Sequence, residues 1–160
     1  MIRTPFATAL IVLFASTVAI AQTGTKSTPE ERQSWASTLH KLEANPLDEH
    51  VQDEAAHAAN RLKDVDDVTI SPCGLFAELP NKWNKSWGVV IYLLGLSAYQ
   101  VETGKNDSTG ENLYAMRSVL KAYASAVATD PKLHDKKLEG LSKMDADGNL
   151  PDLAAQDNCK

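Results

Sequence analysis

The chain has 160 residues, with 16 Lys and Arg against 21 Asp and Glu and a formal charge of −5. An acidic surface repels phosphate backbones and anionic headgroups, and no basic patch interleaved with aromatics occurs, so nucleic-acid and membrane-surface binding are disfavoured. The length suits one domain with a core of its own.

Residues 1–21 read as a cleavable export signal. Arg3 is the only charge before Lys26, residues 6–20 are apolar with small hydroxyl residues mixed in, and Ala19-Ile20-Ala21 offers a small-x-small cleavage site before Gln22. The apolar run is short for a membrane span of about 20 residues. Cleavage near Ala21 leaves 139 residues and removes Arg3, so 15 cations face 21 anions, a charge of −6. The expected address is the periplasm or the exterior. Two cysteines remain, Cys73 and Cys159. In an oxidising compartment the default for such a pair is a disulfide, here stabilising by about 4–5 kcal/mol through closure of a long loop.

Residues 22–27 read as a loose polar leader, and 28–160 as a single helical domain. Thr28-Pro29-Glu30-Glu31 predicts a helix start with a capping box, and Trp35, Leu39 and Leu42 follow at helical spacing. That helix should stop near Ala44, before Asn45-Pro46. The next is expected to start at Asn45-Pro46, with Asp48 and Glu49 in its first turn. Leu47, Val51, Ala55, Ala58, Leu62 and Val65 form its apolar stripe. The alternation of Val68 and Ile70 predicts an extended connector, and Ser71-Pro72 a short helix through Cys73 and Phe76.

Residues 87–96 carry no charge and are apolar all round, which predicts the most enclosed helix. Gly88 and Gly95 each cost about 1 kcal/mol of helix propensity, a cost that close packing of a neighbour would offset. Ser108 and Glu111 are expected to cap a long helix with Leu113, Met116, Leu120, Tyr123 and Val127 inward. Pro131 starts another with Leu133, Leu138, Leu141 and Met144 inward. Gly148 stops it, and a turn through Leu153 leads to Cys159. The expected fold is all-α, a bundle or stacked hairpins of five to six helices, tied by one disulfide.

Candidate sites are few. His50, Glu54 and His57 share one helical face, and Glu54-Ala-Ala-His57 has the Glu-x-x-His spacing of di-iron bundles, which makes them the candidate metal ligands. No second such pair exists. Asp145-Ala-Asp147-Gly-Asn149 matches the first half of an EF-hand loop, but Leu150 and Gln156 stand where the turn glycine and the bidentate Glu belong. Gly95-Leu96-Ser97-Ala98-Tyr99 is one residue from a nucleophile elbow, yet it falls inside a predicted helix. Trp83, among Asn81, Lys82, Asn84 and Lys85, is expected to be exposed and is the candidate contact residue.

Leu94-Gly95, Tyr99, Tyr123, Ala126 and Asp130-Pro131 together resemble one tetratricopeptide-type helical hairpin. The resemblance implies antiparallel helices and a protein-binding role. The mature chain also resembles a family of exported bacterial helical proteins with no assigned activity, on Asn45-Pro46-Leu47, Asp67-Val68-Thr69-Ile70-Ser71-Pro72-Cys73 and the C-terminal Cys159. This implies compartment and fold. The expected function is a non-enzymatic exported binding or scaffold protein with no cofactor, its partner an envelope or extracellular protein. The alternatives are a metal or small-ligand binder, and an inhibitor or immunity protein for an exported toxin.

Overall fold

A computed structural model describes residues 25–72, 74–84 and 87–156. Residues 1–21, expected to be an export signal, and Cys73 and Cys159, expected to form a disulfide, lie outside the described residues. Among those described the fold is an all-α bundle of seven helices with two 3-10 turns, one at Gly74–Glu78 and one at Pro131–Leu133. The helices are α1 (Pro29–Ala44), α2 (Glu49–Leu62), α3 (Asn81–Asn84), α4 (Trp87–Thr103), α5 (Ser108–Thr129), α6 (Lys136–Ala146) and α7 (Leu150–Gln156). No helix among them is long and apolar enough to cross a membrane.

The first helix forms as its sequence dictates. Glu31 N–H donates to Thr28 Oγ1 at 3.1 Å and Thr28 N–H to Glu31 Oε2 at 2.8 Å, which closes the capping box. Trp35, Leu39 and Leu42 are buried. The residues just before α1 are not loose. Asp67 accepts from Ser27 N–H at 2.9 and 3.1 Å, from Ser27 Oγ at 3.1 Å and from Arg32 Nη2 at 2.8 Å. The Ser27 amide, with the Arg32 guanidinium beside it, pulls the Asp67 carboxyl down to about 2. One residue away, Asp66 N–H donates to Thr25 O at 3.2 Å, and Thr25 forms a parallel bridge with Val65.

Three helix starts differ from those their motifs suggest, two later and that of α5 one residue earlier, each for the same reason: a carboxylate outcompetes its neighbours for the free amides. Asp48 caps α2 by accepting from His50 and Val51 N–H, while Asn45 to Asp48 make a turn. Asp107, not Ser108, caps α5 by accepting from Gly110 N–H at 2.7 Å. Asp135 caps α6, so the helix expected from Pro131 divides into a 3-10 turn and α6. The α2 stripe is also rotated. Ala55, Ala59 and Leu62 are buried, Val51 and Ala58 only partly, and Leu47 is 37% exposed.

The centre is the hairpin of α4 and α5, with α1 packed on both, α2 against α1 and α4, and α6 and α7 against α5. Contacts between Trp83 and Tyr123 just ahead of α4, Tyr99 and Tyr114 near its end, and Tyr99 and Asp107 in the connecting loop run in opposite directions along the two helices, so they are antiparallel. A Cβ on Gly95 would lie 2.7 Å from Ala115 Cα. The missing side chain therefore lets the two backbones meet. A polar seam runs beside this contact. Tyr92 OH donates to Asn112 Oδ1 at 2.5 Å, and Asn112 Nδ2 donates to Ser108 O and Ser71 O. Gln100 Nε2 donates to Thr69 O and to buried Glu111. These amides satisfy carbonyls of the extended connector, which keeps it on the core without a sheet.

At the other end Gly148 adopts φ +77°, and Asn149 N–H reaches back to Met144 O at 2.8 Å. This closes α6 as its sequence implies. The expected turn after it is instead α7, because Leu150 and Ala154, four apart, are both buried.

Candidate functional site

One group of titratable side chains joins three helices. His40 on α1 sits between Glu43 of its own helix and Glu102 on α4. Its Nδ1 lies 3.0 Å from Glu43 Oε2 and its Nε2 lies 2.7 Å from Glu102 Oε1. From α5, Tyr114 OH donates to Glu102 Oε2 at 2.6 Å and Lys121 Nζ comes within 3.6 Å of Glu43 Oε2. The Glu43 side chain is 9% exposed, against 46% for His40. A neutral imidazole has a single N–H, so only imidazolium can donate to both carboxylates. The Glu43 bond first, and the Glu102 bond after it, hold the His40 pKa above its ordinary value. Burial pushes Glu102 up, but bonds from Tyr114 and His40 outweigh it and bring the carboxyl down. Burial and the Glu102 carboxylate both raise Tyr114.

The group acts as a brace. The described clefts are lined by other residues. A raised folded-state pKa means the brace contributes its full stability below the ordinary histidine value and loses it as pH rises through the folded value. Since His40 is half exposed, the loss should be at most about 1 kcal/mol. The wild type should therefore melt lower at about pH 9 than at about pH 6, and His40→Gln should flatten that difference. Parallel melting curves for the two proteins would sink the assignment.

The motif-based candidates do not converge. His50, Glu54 and His57 are all exposed on α2. Glu54 is engaged from α1, accepting from Lys41 Nζ at 2.7 Å and from Thr38 Oγ1 at 3.1 Å. Among the described residues no three His, Cys, Asp or Glu side chains are placed to hold a metal. Asp145 pairs with Arg117 and Asp147 with Lys143, so the half EF-hand carboxylates face cations of the chain itself. Ser97 is buried within α4.

Trp83 corrects an expectation. It is 3% exposed, edge-on to Trp87 at 4.2 Å and to Tyr123 at 5.5 Å. Asn81 and Lys82 are exposed while one turn of α3 aims the ring at α5. Lys82, beside it, donates to Leu133 O and His134 O and lies 3.4 Å from the Asp135 carboxylate.

A second surface feature has no motif. A cavity of about 540 Å3 opens between the Gly74–Glu78 turn, α6 and α7. Leu141, Met144 and Leu153 form its floor, and Lys136, Lys137 and Glu78 its lip. Lys137 is paired with Glu78 at 3.0 Å. Gly140 lies in the same wall, in mid-helix, and a Cβ there would meet nothing within 4 Å. At Gly95 a neighbouring backbone accounts for the glycine. At Gly140 nothing among the described residues does, although glycine costs a helix about 1 kcal/mol relative to alanine. The sequence signal was present, a glycine inside an otherwise well-capped helix, but its meaning depends on what lies opposite.

Comparison of the chain with protein-family models, with curated proteins and with solved structures finds no match.

Proposed function

We propose that this chain is exported and works as a non-enzymatic binding or scaffold module whose groove on α6 and α7 takes an apolar segment of another exported polypeptide. The observation that carries the reading is the groove: an apolar floor of Leu141, Met144 and Leu153 beside a helical glycine that leaves room for close approach. The titratable groups that do converge, around His40, satisfy one another away from the described clefts. The working form begins at Gln22, and Cys73 and Cys159 are joined. Support for the bridge comes from the flanks. The turn that starts at Gly74 packs against α7, which ends at Gln156, three residues before Cys159. An oxidising address favours the bond.

One preparation tests all three elements. Protein recovered from the periplasm or medium should have the mass of residues 22–160 less two hydrogens. Used as bait in an envelope extract, it should retain a partner that Gly140→Gln does not. That substitution adds a good helix former in open space, so it should raise stability by about 0.5–1 kcal/mol while filling the groove. A full-length chain inside the cell would overturn the export reading, and two free thiols the bridge. Equal retention by both baits would overturn the groove.

A further inference from the structure

We propose that the segment entering the groove is the α1–α2 corner of a second copy of this chain, with Leu47 as the knob. This rests on the groove being the binding surface. Leu47 is the exposed large hydrophobic residue among those described, at 37%. Single exposed leucines are common, but three features set this one apart. The corner that presents it is held in shape: Asp48 N–H donates to Asn45 O at 3.2 Å, Gln52 Nε2 donates to Pro46 O at 2.6 Å, and Asp48 caps α2. A braced knob loses little freedom on docking. Its flanks are Asp48 and Glu49, both exposed, whereas the groove lip carries Lys136 beside the paired Lys137 and Glu78. Glu49 and Lys136 have no ion-pair partner among the described residues. An exposed apolar residue with acidic flanks and an apolar groove with an unpaired Lys136 at its lip are thus complementary in polarity and in charge on one molecule, and Gly140 leaves room for the corner backbone to come close.

The contact joins unlike patches, so each copy supplies a knob and a groove. One leucine and its flanking charges make a small interface, in the weak and reversible class. Self-association should be concentration-dependent and should weaken with added salt.

Sedimentation of the mature, disulfide-intact protein reads this directly. The wild-type average mass should climb toward a dimer or beyond between about 10 µM and about 1 mM. Leu47→Asp removes the knob at an exposed position, and Gly140→Gln fills the groove. Each alone should remain monomeric with its melting temperature kept or raised. An equimolar mixture of the two should associate again, to heterodimers only, because one intact knob then meets one intact groove. A wild type that stays monomeric throughout, or a mixture that does not associate, overturns the second-copy assignment. If the envelope bait still loses a partner on Gly140→Gln in that case, the groove reading stands and its occupant is a different chain. If neither effect is seen, both fall.

Discussion

Trp83→Ala should cost about 3–5 kcal/mol of folding stability, the range for a large aromatic removed from a packed core. Total stability for a domain of this size is about 5–15 kcal/mol, so the loss is a large fraction of it. The ring is 3% exposed and lies edge-on to both Trp87 and Tyr123, linking α3 to α4 and α5. Truncation leaves a cavity and forfeits two aromatic contacts, each about 0.5–1.5 kcal/mol beyond area burial. Urea titration followed by far-ultraviolet circular dichroism gives the number, and Trp83→Phe should recover part of it. A cost below about 1 kcal/mol would mean that the ring does not sit in the core. It follows that lost partner binding in Trp83→Ala would report unfolding rather than a missing surface contact.

Gly95→Val is expected to be comparably severe, about 3 kcal/mol or more, because overpacking here meets backbone. The added Cβ would lie 2.7 Å from Ala115 Cα and 3.1 Å from Ala115 Cβ. Neither atom can rotate away, so α4 and α5 must separate along the contact that holds the bundle together. Ala115→Gly should rescue little, since the nearer atom is the main chain. Gly95→Val, Gly95→Ala and Gly140→Gln form a series in which helix propensity improves every time or nearly so while the measured stability falls, falls less and rises. Thermal melts that ranked all three by propensity would show that the two helices do not touch where the glycine lies.

Most of the helical framework was legible because its causes are local. Thr28 to Glu31 hold every atom of the capping box within four residues, and the uncharged run at 87–96 shows its enclosure in its composition. The errors are long-range. Trp83 has polar neighbours in sequence, and its contact with Tyr123, forty residues on, ties the ring to α5. His40 and Glu43 are visible as an i, i+3 pair, but Glu102 and Lys121 reach them through the packing of α4 and α5. His50, Glu54 and His57 do share a face, as their spacing says. What spacing could not say is that Lys41 on α1 would claim Glu54. The shift from Ser108 to Asp107 as the α5 cap is different in kind. Both residues are good caps one position apart, and the carboxylate, which also receives Tyr99 OH at 2.5 Å, won.

The Asp67 clasp bears on the order in which the chain can fold. Ser27 and Asp67 are forty residues apart, and each bond between them needs both to have emerged. A chain delivered amino end first therefore presents α1 with its cap formed but its anchor absent. Until Asp67 emerges, Arg32 has no carboxylate at 2.8 Å to grip. The entry to α1 is thus secured late, after α2 has emerged, and for that interval it remains open to proteolysis.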